Sequence, residues 1–396
     1  MSLSMRCFLL LAFTACAASQ GDDLDPDLLK EIFGTPLENI TVVPTTGPTT
    51  IVDDETGDSC VCVPYYLCEP TGNSVLTDGK YDGFGKIDIR FKPESCQVSI
   101  EVCCKAPRDE DNPLEVIEKP ERLRGCGVRN EKGVDFQLLS SPGNESEFGE
   151  FPWTVAILNV ADSSAVCAGS LIHPSVVLTG AHCLAKLRPL EIKIRAGEWD
   201  TQTTKERLPY QERNADRFLL HPKFNAQSLA NDVALIFLKE PVVLADNVNT
   251  VCLPAADITF NGAKGCYATG WGKTNFGKAD RYAVIMKKVE LDTVEFATCQ
   301  RQFQKTRLGP KFKLHSTFLC AGGVQGRDTC KGDGGGPLVC PSPVAGRYLQ
   351  AGIVAWGIGC GEKDVPAAYG HVAKFRSWID QSVQAAGFET TTYTLV

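Results

Sequence analysis

The sequence predicts an all-β body closed by one C-terminal helix and preceded by a small disulfide-knotted unit. Short β-branched runs recur between turn residues from Phe136 onward. They are Thr154 to Leu158, Ser175 to Thr179, Glu191 to Arg195, Val233 to Leu238 and Tyr348 to Trp356. Many short strands at such spacing belong to barrels or sandwiches. Near the end, Val372, Phe375, Ile379 and Val383 recur at helical spacing, and Gly387 follows as a stop. Upstream, Cys60, Cys62, Cys68, Cys96, Cys103 and Cys104 crowd a stretch too short to hold a stable core unaided. Cross-links would do the work of a core there.

The first residues have the pattern of a secretory leader, assigned to 1–19. Arg6 supplies the positive charge, Cys7 to Ala15 the apolar stretch, and Ala15-Cys16-Ala17 or Ala17-Ala18-Ser19 the small residues for cleavage. The apolar run is short for a membrane anchor, and polar residues follow at once. The expected product is secreted and extracellular. Of 18 cysteines, Cys7 and Cys16 leave with the leader, so the remainder is even, as a disulfide framework requires. Zinc at Cys60-x-Cys62 is the competing reading, disfavoured by only 5 histidines. A formal net charge of -8 and the lack of a basic stripe exclude a nucleic-acid partner from the expectation. No membrane partner is expected either.

Residues 20–59 turn from acidic to Thr/Pro/Gly-rich, with Val43-Pro44-Thr45-Thr46-Gly47-Pro48-Thr49-Thr50 at the centre. Such composition reads as a flexible extension. Asn39-Ile40-Thr41 and, later, Asn144-Glu145-Ser146 are glycosylation tripeptides. The knotted unit occupies 60–104, with strand-like Lys86 to Phe91 and Gln97 to Val102. Six cysteines allow fifteen connectivities. Residues 105–137 are charged and Pro-containing and read as a linker. Arg108, Arg122 and Arg124 in it, and Arg90 before it, are cleavable by a trypsin-like enzyme; ordinary solvated charge is the equally weighted alternative. A body spans 138–386, and the Thr-rich tail 387–396 is expected to fray.

Three motifs of the body carry chemistry. Thr179-Gly180-Ala181-His182-Cys183 holds a candidate base, Asn231-Asp232-Val233-Ala234-Leu235-Ile236 a candidate buried carboxylate, and Gly332-Asp333-Gly334-Gly335-Gly336-Pro337 a loop. Alone, His182 reads as a half-buried histidine and Asp232 as a cap. Together, in this order and with Phe151-Pro152-Trp153 and Thr269-Gly270-Trp271-Gly272, they resemble the trypsin-like serine proteases over about residues 138–386. The resemblance implies a double β-barrel. It also implies the pairs Cys126–Cys252, Cys167–Cys183, Cys266–Cys340, Cys299–Cys320 and Cys330–Cys360, which leave no thiol as a substitute nucleophile.

The chain departs from that family at the nucleophile. Active members place a serine where Gly334 stands, and its hydroxyl attacks the scissile carbonyl. Glycine offers His182 and Asp232 nothing to activate, so the three are vestigial and the chain is expected to be a pseudo-enzyme. Active members also carry a basic residue before the segment whose freed amine pairs with the aspartate of the nucleophile loop. The equivalent stretch here, Leu139-Ser140-Ser141-Pro142-Gly143, follows no Lys or Arg, so Asp333 is expected to lack a charged partner. In the specificity pocket, Asp328 matches the Lys/Arg-selecting residue and Trp356-Gly357 one wall. Ala355 replaces a serine, and Ala367 stands where a glycine would keep the pocket open. A relict or structural role for Asp328 is the favoured expectation. Glu198, Asp200, Thr203 and Glu206 follow Gly197 in a loop that binds calcium in several relatives; a solvated acidic loop is an equal alternative. No cofactor for catalysis is expected.

The upstream cysteines, with their closing Cys103-Cys104 pair before a protease-like body, resemble the arthropod clip domain. That likeness implies Cys60–Cys103, Cys62–Cys96 and Cys68–Cys104. With Cys126-Gly127-Val128-Arg129-Asn130 and Phe148 to Trp153, the chain is similar to the non-catalytic clip-domain homologues that serve prophenoloxidase activation in insects. The resemblance implies a haemolymph protein cut by an upstream trypsin-like clip protease, a homo-oligomer after cleavage, and prophenoloxidase as partner in innate-immune melanisation. A decoy that damps the cascade and a microbe-binding adhesive protein are the other classes left open.

Overall fold

The computed structural model describes residues 50–52, 59–68, 74–75, 85–87, 101–107, 125–138, 144–204, 206–273 and 282–395. The leader, Asn39, Cys96, residues 139–143 and the candidate cleavage residues Arg90, Arg108, Arg122 and Arg124 lie outside them.

The N-terminal unit contains β1 (Thr50–Val52), β2 (Ser59–Pro64), β3 (Ser74–Val75), β4 (Gly85–Ile87) and β5 (Glu101–Pro107). Its sheet has the order β1-β2-β5-β3. Thr50–Val52 therefore corrects the reading of 20–59 as wholly extended arm: three alternating residues pair antiparallel with Ser59–Val61. Cys68 is bonded to Cys104, and Cys62 and Cys103 are also disulfide-bonded.

The expected linker 105–137 also ends as structure. Val128 and Val134 are buried, Cys126 is bonded to Cys252, and β6 (Phe136–Leu138) pairs in parallel with β4. Tyr66 and Val102 of the small unit pack against the main core of the body. The physical reason is local: the segment is charged by composition, yet Cys126, Val128 and Val134 are buried.

The first barrel comprises β7 (Thr154–Asn159), β8 (Ala165–His173), β9 (Val176–Thr179), β10 (Ile192–Ala196), β11 (Gln211–Leu220) and β12 (Ala234–Leu238), closed in the order β10-β11-β12-β9-β8-β7. β9 and β12 are buried along their whole length, as continuous apolar runs must be. β11 is polar, with Ala215 its one fully buried residue, so periodicity did not mark it. The second barrel comprises β13 (Cys266–Gly270), β14 (Lys287–Leu291), β15 (Thr293–Val294), β16 (Phe318–Gly322), β17 (Pro337–Pro341), β18 (Tyr348–Trp356) and β19 (Pro366–His371). Its sheet begins at β14 and ends at β15. These two are one run of chain interrupted at Asp292, so the sheet closes on itself.

Helix α1 (Ala181–Leu184) is a single turn after β9. Helix α2 (Phe296–Gln304) is capped by Glu295, whose carboxylate accepts the Ala297 and Thr298 N–H groups. Helix α3 (Val372–Ala385) buries Val372, Phe375, Ile379 and Val383, and Gly387 follows at φ +84. The tail is not frayed. Tyr393 is fully buried and donates its hydroxyl to Asp380 at 3.0 Å, and the Leu253 N–H donates to the Tyr393 carbonyl at 2.8 Å. A terminal aromatic with a core slot and a hydroxyl partner outweighs the polar threonines around it.

The barrels are joined by buried polar contacts. Thr154 on β7 and Thr269 on β13 share a hydrogen bond of 2.8 Å, and Ser170 on β8 donates to Gln350 on β18 at 2.6 Å. Behind them, Arg129 lies 4.1 Å from the Tyr267 ring centroid and donates to fully buried Glu150 at 2.9 Å. Burial opposes its charge, yet Glu150 and the Tyr348 hydroxyl hold its pKa above the ordinary arginine value. Lys288 reaches the other Glu150 oxygen at 2.7 Å. Breaking one partner of such a buried group costs about 3–5 kcal/mol. Glu150→Ala, which strands both cations, is expected to lower unfolding stability by that amount in denaturant titration.

Candidate functional site

The site lies between the barrels. Helix α1 carries His182, and the turn before β12 carries Asp232. Asp232 is fully buried and uses both carboxylate oxygens on one residue: Oδ2 faces His182 Nδ1 at 2.6 Å, and Oδ1 accepts the His182 N–H at 2.8 Å. This fixes the ring position and leaves Nε2 toward the cleft. Gly180 permits the approach, since a Cβ there would sit 2.7 Å from His182 Nδ1.

His182 Nε2 points at Gly334. A Cβ at Gly334 would lie 3.0 Å from that nitrogen, so the position holds its place in the constellation without a side chain. The Ala168 N–H on β8 donates to the Gly334 carbonyl at 2.9 Å, and the Gly335 N–H donates to Val354 at 2.9 Å. Gly332 adopts φ +106, where a Cβ would meet the Tyr282 ring at 2.6 Å, so only glycine fits the turn. Cys167, His182 and Cys183 bring ligand-type atoms within 4.8 Å of one another. Both sulfurs are tied in the Cys167–Cys183 disulfide, so neither serves as thiolate nucleophile or metal ligand.

Asp333 accepts the Gly272 N–H and the Cys330 N–H, each at 2.9 Å. Gly270 and Gly272 wall its carboxylate so closely that a Cβ on either would overlap it. No cation reaches it among the described residues, and burial pushes it up to about 6, against the pull of the two N–H groups. Asp328 sits beside the same cavity, of about 230 Å³, which Asn144 and Lys273 also line. Its oxygens accept the Thr329 N–H at 2.8 Å and the Gly361 N–H at 3.0 Å. Burial raises it, too, to about 6. Asp328 is therefore held by backbone groups.

The Ala367 methyl faces Gly357. A Cβ placed at Gly357 would lie 3.8 Å from it, an ordinary contact distance, so the gap between the two still admits one carbon. Trp356 stacks on Phe303 at 4.7 Å with Phe318 edge-on at 5.8 Å. Ala355 offers Asp232 no hydroxyl.

In the acidic loop, Glu198 and Asp200 are buried. Glu198 Oε2 accepts from Arg195 at 2.7 Å, while Glu206 Oε1 is buried without a partner. Burial pushes Glu198 up to about 7 and Glu206 to about 8, with Asp200 adding repulsion to both. An orphaned carboxylate oxygen among mutually repelling acids fits a hard cation. Thr203 donates its N–H to the Asp200 carbonyl at 3.2 Å. Arg207 joins this loop to the segment before β6 through an ion pair with buried Asp135. Of the glycosylation tripeptides, Asn144 is exposed, while Ser146 is buried and donates its hydroxyl to Met286.

Comparison with known proteins agrees with this geometry. Residues 141–379 match the family profile described as Trypsin, and residues 49–105 match the one described as Serine protease Clip domain PPAF-2. The chain belongs to the clip-domain branch of the trypsin family. It is 51% identical over 288 residues to Phenoloxidase-activating factor 2 of Galleria mellonella, covering 70% of this chain and 94% of that protein. It is 38% identical over 333 residues to Inactive CLIP domain-containing serine protease A8 of Anopheles gambiae, covering 82% and 88%. A second Anopheles gambiae protein named inactive, A28, is 36% identical over 341 residues. The cavity at Asp333 and the Arg129 cluster are what sequence reasoning missed; Arg129 stood in a quoted motif without any signal of its aromatic partners.

The raised carboxylates Asp328, Asp333, Glu198 and Glu206 set a pH dependence. Each binds its proton more tightly in the folded chain than in the unfolded one, so each stabilises the fold at low pH and loses that contribution as pH rises through its folded value. Without divalent ions, the melting temperature is expected to fall by several degrees between pH 5 and 8. The loss begins near the ordinary carboxylate value of about 4, is complete near 6 for Asp328 and Asp333, and continues to about 8 for Glu206. Differential scanning fluorimetry across that range checks it.

Proposed function

We propose that this chain is a secreted, non-catalytic cofactor of prophenoloxidase activation in the melanisation cascade, engaged after an upstream trypsin-like clip protease cuts it. The carrying observation is the placement of His182 Nε2 toward Gly334, which brings a base to a position with no oxygen. Losing the nucleophile of such a triad costs on the order of 10⁶ in kcat. Roughly 10³–10⁴ over water survives from binding and oxyanion stabilisation, too little for useful peptide hydrolysis. Asp333, which no cation reaches among the described residues, supports the same reading. So do the name of the Galleria mellonella relative and those of the Anopheles gambiae ones.

The partners are then prophenoloxidase and the cutting protease, with a homo-oligomer formed after cleavage. The small unit is the favoured contact surface, because its cross-links lower the cost of ordering loops on binding. Reconstitution tests this directly. Prophenoloxidase and its activating protease are assayed with and without the protein; higher phenoloxidase activity is expected. Lower activity indicates the decoy, and capture on bacterial surfaces without either change indicates the adhesive protein. Gly334→Ser alone is expected to hydrolyse tripeptide substrates at rates near the unsubstituted chain and to label weakly with a fluorophosphonate. Rapid turnover from that single change would show that neither the missing amine at Asp333 nor Ala367 limits the cleft.

Calcium is the proposed structural ion, held by Glu206, Asp200 and Glu198 with backbone oxygens such as that of Thr203. It would supply charge neutralisation for the buried acids. Millimolar calcium is expected to raise the melting temperature at pH 8, and Glu206→Gln to abolish that rise, as read by calorimetry.

A further inference from the structure

A second cavity, of about 250 Å³, opens between the start of α3, β16 and the 259–261 loop. None of the residues lining it belongs to the cleft at Gly334. Phe296 and Phe318 give it an apolar floor, and Ser316, His371 and Lys374 bring polar groups to it. His371 stands at the N-cap of α3, yet its side chain makes no capping hydrogen bond. Its Nδ1 is buried and has no hydrogen-bond partner. Burial, with Lys374 adding repulsion, pushes the imidazole down to about 4, so the ring is neutral in ordinary buffers. Lys374, one turn-step into the helix, is the one full charge in the lining.

These features select a ligand class. A buried nitrogen left unpaired costs about 1–3 kcal/mol, which a ligand oxygen recovers. Lys374 and the uncapped amides at the start of a 14-residue helix favour negative charge there. The aromatic floor demands an apolar body, which inorganic anions lack. The volume lies below the roughly 300–1,000 Å³ of drug-sized sites, so the body is about one ring in size. We propose that this cavity binds a small organic carboxylate, its carboxyl group toward Lys374 and His371 and its apolar body against Phe296 and Phe318.

Benzoate is the probe, added to the intact chain. With only 5 histidines in the sequence, imidazole proton resonances are resolvable, and His371→Gln assigns the one that matters. Benzoate is expected to shift the His371 resonance saturably and to leave that of His173, on β8 of the first barrel, in place. Benzyl alcohol, with the same shape and no charge, is expected to bind about tenfold more weakly, which is about 1.4 kcal/mol. Lys374→Met, an exposed position that folding tolerates, is expected to weaken benzoate by a similar factor. The proposal is overturned by the absence of a saturable shift, by equal binding of benzyl alcohol, by unchanged affinity in Lys374→Met, or by inorganic phosphate competing as well as benzoate.

Discussion

The hydrogen bond from the Ala168 N–H to the Gly334 carbonyl ties the loop of the second barrel to a strand of the first. Everything distinctive about the cleft depends on that register. It sets Gly334 under His182, while Asp232 holds the ring from behind through both carboxylate oxygens. His182, Asp232 and the Gly334 loop are thus held in one constellation. Thr154–Thr269 and Ser170–Gln350 keep the same two barrels in register from within the core. Maintaining these buried polar pairs needs satisfied partners on both sides, so the interface between barrels persists whatever stands at position 334.

Two carboxylates beneath the loop have lost the electrostatics of a working site. Asp333 and Asp328 are held by backbone N–H groups and glycine walls. Hydrogen bonds of this kind stabilise the charge only in part, and desolvation leaves both well above the ordinary aspartate value. Retaining acids in such surroundings is a stability burden at neutral pH. The acidic loop at Glu198 and Glu206 carries the same burden on the first barrel, and a hard cation offers the simplest relief there.

The small cross-linked unit is not loosely strung to the body. Tyr66 and Val102 reach the main core, β4 adds to β6, and Cys126 anchors the intervening chain to Cys252. Asp135, next to β6, is paired with Arg207 from the acidic loop. One short segment therefore touches the N-terminal unit, the acidic loop and, through Arg129 and Glu150, the back of the second barrel. A cut or a binding event in any of these regions acts on a shared set of contacts.

Sequence by itself determined the fold class and the order of the His182, Asp232 and Gly334 motifs, because those features reside in residue identity and order. It located the strands that are continuous apolar runs, such as β12, and the amphipathic α3. Polar β11 and short, polar α2 escaped it, since their formation rests on neighbours and on the Glu295 cap. The tail read as frayed because its threonines dominate composition; only folding reveals the slot that takes Tyr393. Likewise the segment 105–137 read as linker because it is charged and carries prolines, although Cys126, Val128 and Val134 are buried. The tertiary structure alone decided the Gly272 N–H that holds Asp333, the Gly361 N–H that holds Asp328, and the cavity at His371. These are distances between residues far apart in the chain, and burial, which sets their energetics, has no signature in local sequence.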